Sequence, residues 1–181
     1  MKWIERVFDS YVPSELHPEL IERLRGTPAR AGERTLSLPP DVLVRREGES
    51  WSIQEHVGHL IDTEALFAAR LKDYEAGEET LYPADTSGRM TYDACHNENT
   101  LATILERLER VRKEFVRRLE GWDSALFART ALHPRLKTPM SAAHMLYCQA
   151  EHDDHHLARI TELIRRFRPA GGGAHHGDDA R

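Results

Sequence analysis

Cysteine is scarce in this sequence, and the two cysteines lack the spacing of a disulfide framework or a zinc ribbon. The 181 residues contain Cys95 and Cys148 alone, with no CxxC pair. Disulfide-rich domains belong to oxidising compartments, whereas a reducing compartment keeps thiols free. The cysteine usage therefore predicts a cytoplasmic protein.

Excess positive charge and long apolar runs are also missing. The formal net charge is -5, with 25 basic and 30 acidic residues, whereas nucleic-acid-binding surfaces are usually rich in Lys and Arg. No stretch approaches the roughly 20 apolar residues of a membrane helix. Residues 1–6 carry charges where a signal peptide needs an apolar core. The sequence therefore predicts no nucleic-acid partner, no membrane span and no secretion signal.

Hydrophobic spacing and helix-boundary residues predict an all-α chain. We expect a first helix broken at Gly26, over residues 15–25 and 27–38, and long helices over 53–76, 92–120 and 139–167. The helix over 53–76 follows a capping box at residues 52–55. Residues 78–90 and 123–137 are expected to be irregular connections, and no alternating strand pattern is evident. The pattern predicts a four-helix bundle with long connecting loops, spanning residues 1–168. Residues 169–181, rich in Gly, His and Asp, are predicted to be a disordered tail.

The last predicted helix carries histidines within an apolar seam. His152 and His156 are four residues apart, so both rings lie on one helix face and can reach a single ion. His59 occupies the edge of the apolar stripe of an earlier helix. The pair alone fits a structural role and a metal site about equally well, and the addition of His59 favours a metal site with open coordination positions.

Two segments resemble the DinB-like (YfiT-like) metalloenzyme family. These are WSIQEHVGHL at 51–60 and EHDDHHLARI at 151–160, and a weaker resemblance extends from about Leu24 to Phe167. The resemblance implies a four-helix bundle that binds one divalent metal ion through His59, His152 and His156. It also implies metal-dependent chemistry with a small thiol of the bacillithiol or mycothiol type, a link to the stress response, and a homodimer.

The implied chemistry follows from the ligand type. Three neutral imidazoles leave a bound ion its full charge, which lowers the pKa of a bound water to about 7 for zinc and deprotonates a bound thiol. Imidazole ligands suit several metals, among which zinc and nickel are favoured here. We therefore expect a thiol S-transferase acting on a small-molecule electrophile, ahead of a metal-dependent hydrolase. The sequence identifies no catalytic residue.

Several neighbouring side chains are open as contributors to the site. His56 precedes His59 by one turn and competes with it as a ligand, although the family pattern favours His59. The other candidates are Cys148 as a fourth ligand, His155 and His96 as pocket residues, Asp62 and Glu55 as carboxylates that orient His59, and Asp153 and Asp154 as bases. Three of them have a competing interpretation. Cys148 fits a buried structural cysteine, His155 a solvated helix face, and Glu55 the capping box.

Two rival functions stay open at this stage. The dipeptide His152-Asp153 is compatible with a metal-dependent phosphohydrolase, but that site needs a further aspartate, and the later aspartates all lie in the tail. A zinc protease of the HExxH type would need glutamate where Asp153 stands. A non-catalytic bundle that binds metal or a partner is the second rival, since no general base is evident.

Overall fold

The computed structural model describes residues 3–6 and 11–167, which are mainly helical. The predicted tail at 169–181 lies outside this part of the chain. Three short 3-10 turns cover Trp3–Glu5, Ser14–Leu16 and His96–Glu98. The other elements are α1 (His17–Arg25), α2 (Thr27–Thr35), α3 (Pro40–Leu43), α4 (Ile53–Ala76), α5 (Arg89–Asp93), α6 (Leu101–Glu120), α7 (Ser124–Ala128), β1 (Thr130–Leu132), β2 (Pro139–Ser141) and α8 (Ala142–Phe167).

The long helices form a bundle with four corners. The broken pair α1 and α2 packs against α6 and α8, and α4 packs against the same two helices from the other side. Apolar side chains recur at three- and four-residue spacing on each helix and meet in the interior, where their burial stabilises the bundle. The prediction of an all-α four-helix bundle is confirmed. Within residues 3–6 and 11–167, no helix is long and apolar enough to cross a membrane.

Helix α4 begins and ends where the sequence predicts. The Glu55 backbone N–H donates to Ser52 Oγ at 3.1 Å, and the Ser52 N–H donates to Glu55 Oε2 at 2.8 Å, which completes the capping box. Gly77 ends the helix with a φ of 74°, a left-handed conformation that glycine adopts without steric cost. The 24-residue helix between them presents one face to α6 and another to α8.

Other predicted boundaries were wrong. The third long helix begins at Leu101 rather than at residue 92, because Cys95 has a φ of 48° and Thr100 caps the new helix through Thr103 N–H. Residues 89–98 instead form α5 and a 3-10 turn. Helix α2 ends at Thr35 rather than Leu38, in keeping with the bias against helical backbone before proline.

A small hairpin replaces part of the predicted irregular connection. Strands β1 and β2 pair antiparallel, with Ala131 opposite Met140. Pro139 therefore lies in a strand rather than at the start of a helix, and α8 begins at Ala142. The Leu81 N–H donates to the Leu132 carbonyl at 3.0 Å, which ties the segment after α4 to the hairpin. Strands of three residues are too short to show alternation in a sequence.

Candidate metal centre

Three histidine rings converge between α4 and α8. Nε2 of His152 lies 3.3 Å from Nε2 of His59 and 3.2 Å from Nε2 of His156. One nitrogen from each ring can be chosen so that all three lie within 4.8 Å of one another. His152 and His156 are buried and His59 is half-buried. The packing of the two helices thus brings together the three residues that the sequence singled out.

The environment keeps these rings neutral. Burial, together with the neighbouring His152, lowers the pKa of His59 to about 3. Burial and the charges of His155 and Arg112 lower the pKa of His152 to about 3. The pKa of His156 is also lowered well below its ordinary value, again chiefly by burial. A neutral imidazole has a free lone pair, and this is the form that binds a metal.

Outer contacts fix the orientation of two rings. Nδ1 of His59 lies 2.8 Å from the Thr91 hydroxyl oxygen, and Nδ1 of His156 lies 2.9 Å from Nδ1 of His56. If Nε2 of each ring is free to bind an ion, Nδ1 carries the proton and donates in these contacts. Nδ1 of His152 is buried and has no hydrogen-bond partner among the described residues.

His56 is thereby placed behind the cluster. It is buried, and burial lowers its pKa to about 4. Its Nδ1 meets the far side of the His156 ring, so it contacts a member of the cluster and not the point where the three Nε2 atoms converge. The geometry favours His59 over His56 as the third member, as the sequence pattern does.

The carboxylates proposed to orient His59 are engaged elsewhere. Asp62 Oδ2 lies 2.9 Å from Nε2 of His96. Glu55 completes the capping box and pairs with Arg46. Thr91, rather than either acid, contacts Nδ1 of His59.

The remaining candidates on α8 lie around the cluster without joining it. Cys148 is half-buried, and burial raises the pKa of its thiol to about 12, so the thiol is protonated at neutral pH. The His155 ring lies 5.2 Å from the His156 ring and 5.9 Å from Trp3, measured between centroids. Asp154 pairs with Arg23 and Arg30.

Aromatic side chains line the cluster, a role that was predicted for none of them. The Trp51 ring centroid lies 4.5 Å from that of His59, and the Trp3 centroid lies 5.1 Å from that of His152. From the sequence, Trp51 was noted only as the first residue of the segment at 51–60. Trp51 lies just before α4, between one and two turns before His56 and about two turns before His59, and this spacing is the signal that could have identified it.

A glycine shapes the back of α4. A Cβ atom on Gly58 would lie 2.2 Å from Cγ of His96, so the buried His96 ring rests directly on the helix backbone. Gln54 Nε2 donates to the His96 carbonyl at 2.8 Å, and Asp62 contacts the ring. The segment that carries Thr91 and His96 is thus docked onto the helix that carries His59.

A second buried polar group begins at the residue after His152. Asp153 Oδ2 accepts from Arg112 Nη1 at 2.6 Å and from the Thr27 hydroxyl at 2.7 Å. Arg112 also donates to both Glu64 oxygens, at 3.1 and 3.0 Å, and Gln149 donates to Glu64 at 3.2 Å. Burial, with the negative charge of Asp153, raises the pKa of Glu64 to about 7 despite the opposing charge of Arg112. We call this group the Arg112 network. It links α4, α6 and α8 through ion pairs and α2 through the Thr27 hydroxyl.

Together, the fold and the histidine cluster define a helical-bundle protein with a candidate metal centre. The chain belongs to the DinB superfamily, whose family model matches residues 23–160. No curated protein matches it.

Solved structures share the fold. YfiT from Bacillus subtilis, described as a probable metal-dependent hydrolase with an unusual four-helix bundle topology, superposes with a TM-score of 0.76. It is 22% identical, over 90% of this chain and 93% of that one. The mycothiol-dependent maleylpyruvate isomerase has a TM-score of 0.63 and 13% identity, over 86% of this chain and 67% of that one. At these identities the likeness shows the fold alone.

A third structure corrects one expectation. The colibactin self-resistance protein ClbS, crystallised in complex with double-stranded DNA, has a TM-score of 0.66 and 16% identity, over 87% of this chain and 100% of that one. The prediction that excluded a nucleic-acid partner was therefore wrong. A protein of this fold binds DNA, and net charge averages over the whole surface, so it does not exclude a local binding face.

Proposed function

We propose that His59, His152 and His156 bind one divalent metal ion, and that the centre promotes nucleophilic chemistry on a small molecule. Of the two candidate reactions, we favour transfer of a low-molecular-weight thiol over hydrolysis. The observation that carries the proposal is the convergence of three neutral imidazoles, in which Nε2 of His152 lies 3.3 Å from Nε2 of His59 and 3.2 Å from Nε2 of His156. A purely structural histidine cluster would be expected to pair these nitrogens with acceptors or donors of other types.

The donor set fits a zinc or nickel ion. Three imidazole nitrogens are a common protein ligand set for a catalytic zinc ion with an open position, and nickel accepts the same donors. When bound, such an ion supplies a Lewis acid that lowers the pKa of a coordinated water or thiol.

The surrounding residues would hold the ligands and limit access of water. The Thr91 hydroxyl oxygen and Nδ1 of His56 accept hydrogen bonds from Nδ1–H of His59 and of His156, respectively, which fixes the tautomers required for binding through Nε2. Trp51 covers the His59 ring and Trp3 lies against His152. His155 is half-buried at the margin and is available to contact a substrate.

Two observations order the candidate reactions. The described residues place no free carboxylate base at the cluster, because Asp153 and Asp154 are both held by arginines. A bound ion would itself deprotonate a thiol, whereas a bound water would keep a pKa of about 7 and gain more from a nearby base, which favours thiol transfer. Hydrolysis is the second candidate, supported by the description of YfiT. The two free cysteines are in keeping with a cytoplasmic setting for either reaction.

Metal content of the purified, untagged chain tests the first part of the proposal. Inductively coupled plasma mass spectrometry is expected to find one zinc or nickel ion per chain in the wild type and in His155→Ala, and a loss of that ion in His156→Ala. His155 is the matched control, since it adjoins His156 but is not one of the three converging ligands. Full metal content in His156→Ala would refute the assignment.

Competition between a thiol and water for the same electrophile tests the second part of the proposal, the choice between thiol transfer and hydrolysis. The metal-loaded protein is incubated with a thiol-reactive electrophile, with and without a low-molecular-weight thiol, and the products are resolved by mass spectrometry. Thioether formation that depends on His156 supports transfer. Products that carry only water-derived oxygen would favour hydrolysis, and the absence of any product over a panel of electrophiles and esters would favour a non-catalytic bundle.

A further inference from the structure

Asp62 lies on α4 three residues after His59, but its carboxylate contacts a different histidine. Oδ2 of Asp62 lies 2.9 Å from Nε2 of His96. An ionised carboxylate only accepts hydrogen bonds, so Nε2 of His96 carries the hydrogen and donates it. The side chain of Asp62 is 9% exposed and that of His96 is 1% exposed. Removal of either partner would leave the other buried without this hydrogen bond, which is costly.

His96 is also held to α4 by its backbone and by the shape of the helix. Gln54 Nε2 donates to the carbonyl oxygens of His96 and Asn99, at 2.8 and 2.9 Å. The His96 ring rests against Gly58, where any Cβ atom would overlap it. The ring and the backbone of His96 are therefore both anchored on α4.

The anchored residue is continuous with the segment that carries Thr91. The Ala94 N–H donates to the Met90 carbonyl at 3.0 Å, so α5 continues into the turn before His96. Thr91 is 1% exposed, and its Oγ1 lies 2.8 Å from Nδ1 of His59. A shift of the anchor at His96 would therefore move the hydroxyl that contacts the His59 ring.

We propose that Asp62 and His96 are positioning residues for the metal centre, and that they act on His59 through Thr91. The pair holds Thr91 where its hydroxyl oxygen accepts from Nδ1–H of His59, which leaves Nε2 of His59 available to the ion. Outer partners of metal-binding histidines typically change metal affinity by about ten- to a hundredfold. The part of this inference that concerns metal affinity rests on the proposed function.

The negative charge of Asp62 offers a competing explanation. This charge opposes the lowering of the pKa of His59, so it would also attract an ion at the cluster directly. The two explanations differ in the effect of Asp62→Asn, because the amide oxygen of asparagine accepts from His96 but carries no charge. Positioning predicts an unchanged metal affinity in this variant, whereas direct attraction predicts a loss.

Zinc affinity, measured by competition with a chromogenic chelator, tests the proposal. Thr91→Val is expected to weaken zinc binding about tenfold, because it removes the partner of Nδ1 of His59. Asp62→Leu is expected to weaken it severalfold. The double variant should match Thr91→Val within about twofold, since both changes act on one contact and their effects are not additive. Asp62→Asn should bind zinc as the wild type does.

Asp73→Leu is the matched control for Asp62→Leu. Asp73 is another acid of α4, but its Oδ2 accepts from the Tyr82 N–H at 2.6 Å, so it holds the segment after α4 rather than α5. Its loss should leave zinc affinity unchanged. His96→Phe keeps an aromatic ring but cannot donate to Asp62, and it replaces Asp62→Leu if that variant does not fold.

Histidine-selective 15N NMR of the metal-free protein tests the same contact without an ion. The ring nitrogens of His59, identified by the loss of their resonances in His59→Ala, should report one tautomer with the hydrogen on Nδ1 in the wild type and in Asp62→Asn. In Asp62→Leu the resonances should report an average of both tautomers. If the wild type binds no zinc, the proposed function fails, and this measurement still decides the role of Asp62 and His96.

Three outcomes would overturn the proposal. These are additive losses of zinc affinity in Asp62→Leu and Thr91→Val, an equal loss in Asp62→Asn and Asp62→Leu, and the same His59 tautomer in the wild type and Asp62→Leu. Each of them is compatible with zinc binding by the wild type, so failure here is distinct from failure of the metal assignment.

Discussion

His152 and Asp153 are adjacent on α8, yet they belong to two buried polar groups that differ in how completely they are paired. Asp153 joins the Arg112 network, in which charged partners meet at 2.6 to 3.1 Å across helices. His152 joins a cluster whose nitrogens point at one another. Pairing of every charged group is typical of a structural network. Nitrogen lone pairs that converge on one point without hydrogen-bond donors are typical of a ligand-binding site.

The largest expected effect comes from breaking the Arg112 network. Arg112→Met leaves Glu64 and Asp153 buried without their cation, which should lower the free energy of unfolding by about 3–5 kcal/mol. Urea denaturation measures the loss.

Arg118→Met is the control, because Arg118 pairs with the partly exposed Glu75, and such a pair contributes about 1 kcal/mol or less. Glu64→Gln added to Arg112→Met should recover part of the loss. Equal losses at residues 112 and 118 would contradict the distinction between the network and an ordinary surface pair.

Metal should stabilise the cluster and leave the network unaffected. With free zinc at a hundred times the dissociation constant, the free energy of unfolding should rise by about 2.7 kcal/mol. The gain should vanish in the His59→Ala, His152→Ala double variant and persist in His155→Ala. Denaturation with and without zinc measures it, and an undiminished gain in the double variant would exclude these residues as ligands.

Lowering the pH should change the stability contributions of His56, beside the histidine cluster, and of Glu64, in the Arg112 network, in opposite directions. The pKa of His56 falls from 6.5 to about 4 on folding, so its contribution is present above pH 6.5 and is lost as the pH drops toward 4. The pKa of Glu64 rises from 4.5 to about 7, so its contribution is present below pH 4.5 and is lost as the pH rises through 7. Each change is worth on the order of 2 kcal/mol between pH 7 and pH 5.

Single variants of the metal-free protein separate these opposing terms. His56→Phe should reduce the loss of stability on going from pH 7 to pH 5, and Glu64→Gln should increase it, as measured by urea denaturation at both pH values. Parallel pH profiles for the wild type and both variants would show that neither group titrates as described.

The smallest expected effect concerns the contact behind His156. His56→Phe removes the partner of Nδ1 of His156 and should weaken metal binding about tenfold. His56→Asn, whose amide oxygen can accept the same hydrogen bond, should recover part of the affinity. Competition with a chromogenic chelator measures both. Identical affinities for His56→Phe and the wild type would remove His56 from the site.

The residues of the candidate site were predictable where helical spacing determines their positions. His152 and His156 follow from a four-residue interval, and the capping box at Ser52 fixes the phase of the helix that carries His59. Thr91 was not predictable, because it reaches His59 from α5, a helix of five residues that is too short to leave a periodic pattern in the sequence.

The same limit applies inside the bundle. On α6, the structure buries the charged Arg112 and leaves the neighbouring Val111 half-buried. A charged residue beside an apolar stripe looks solvent-facing unless its partners are known. Glu64 and Asp153 lie 48 and 41 residues away in sequence, so only the assembled bundle reveals the pairing.

Gly58 has a consequence for how this site tolerates change. The His96 ring occupies the space that a methyl group at residue 58 would need, and the segment holding His96 also carries the Thr91 hydroxyl that steadies His59. Adding even a single carbon at position 58 must displace that segment. The orientation of the candidate ligand His59 thus depends on the preceding residue having no side chain.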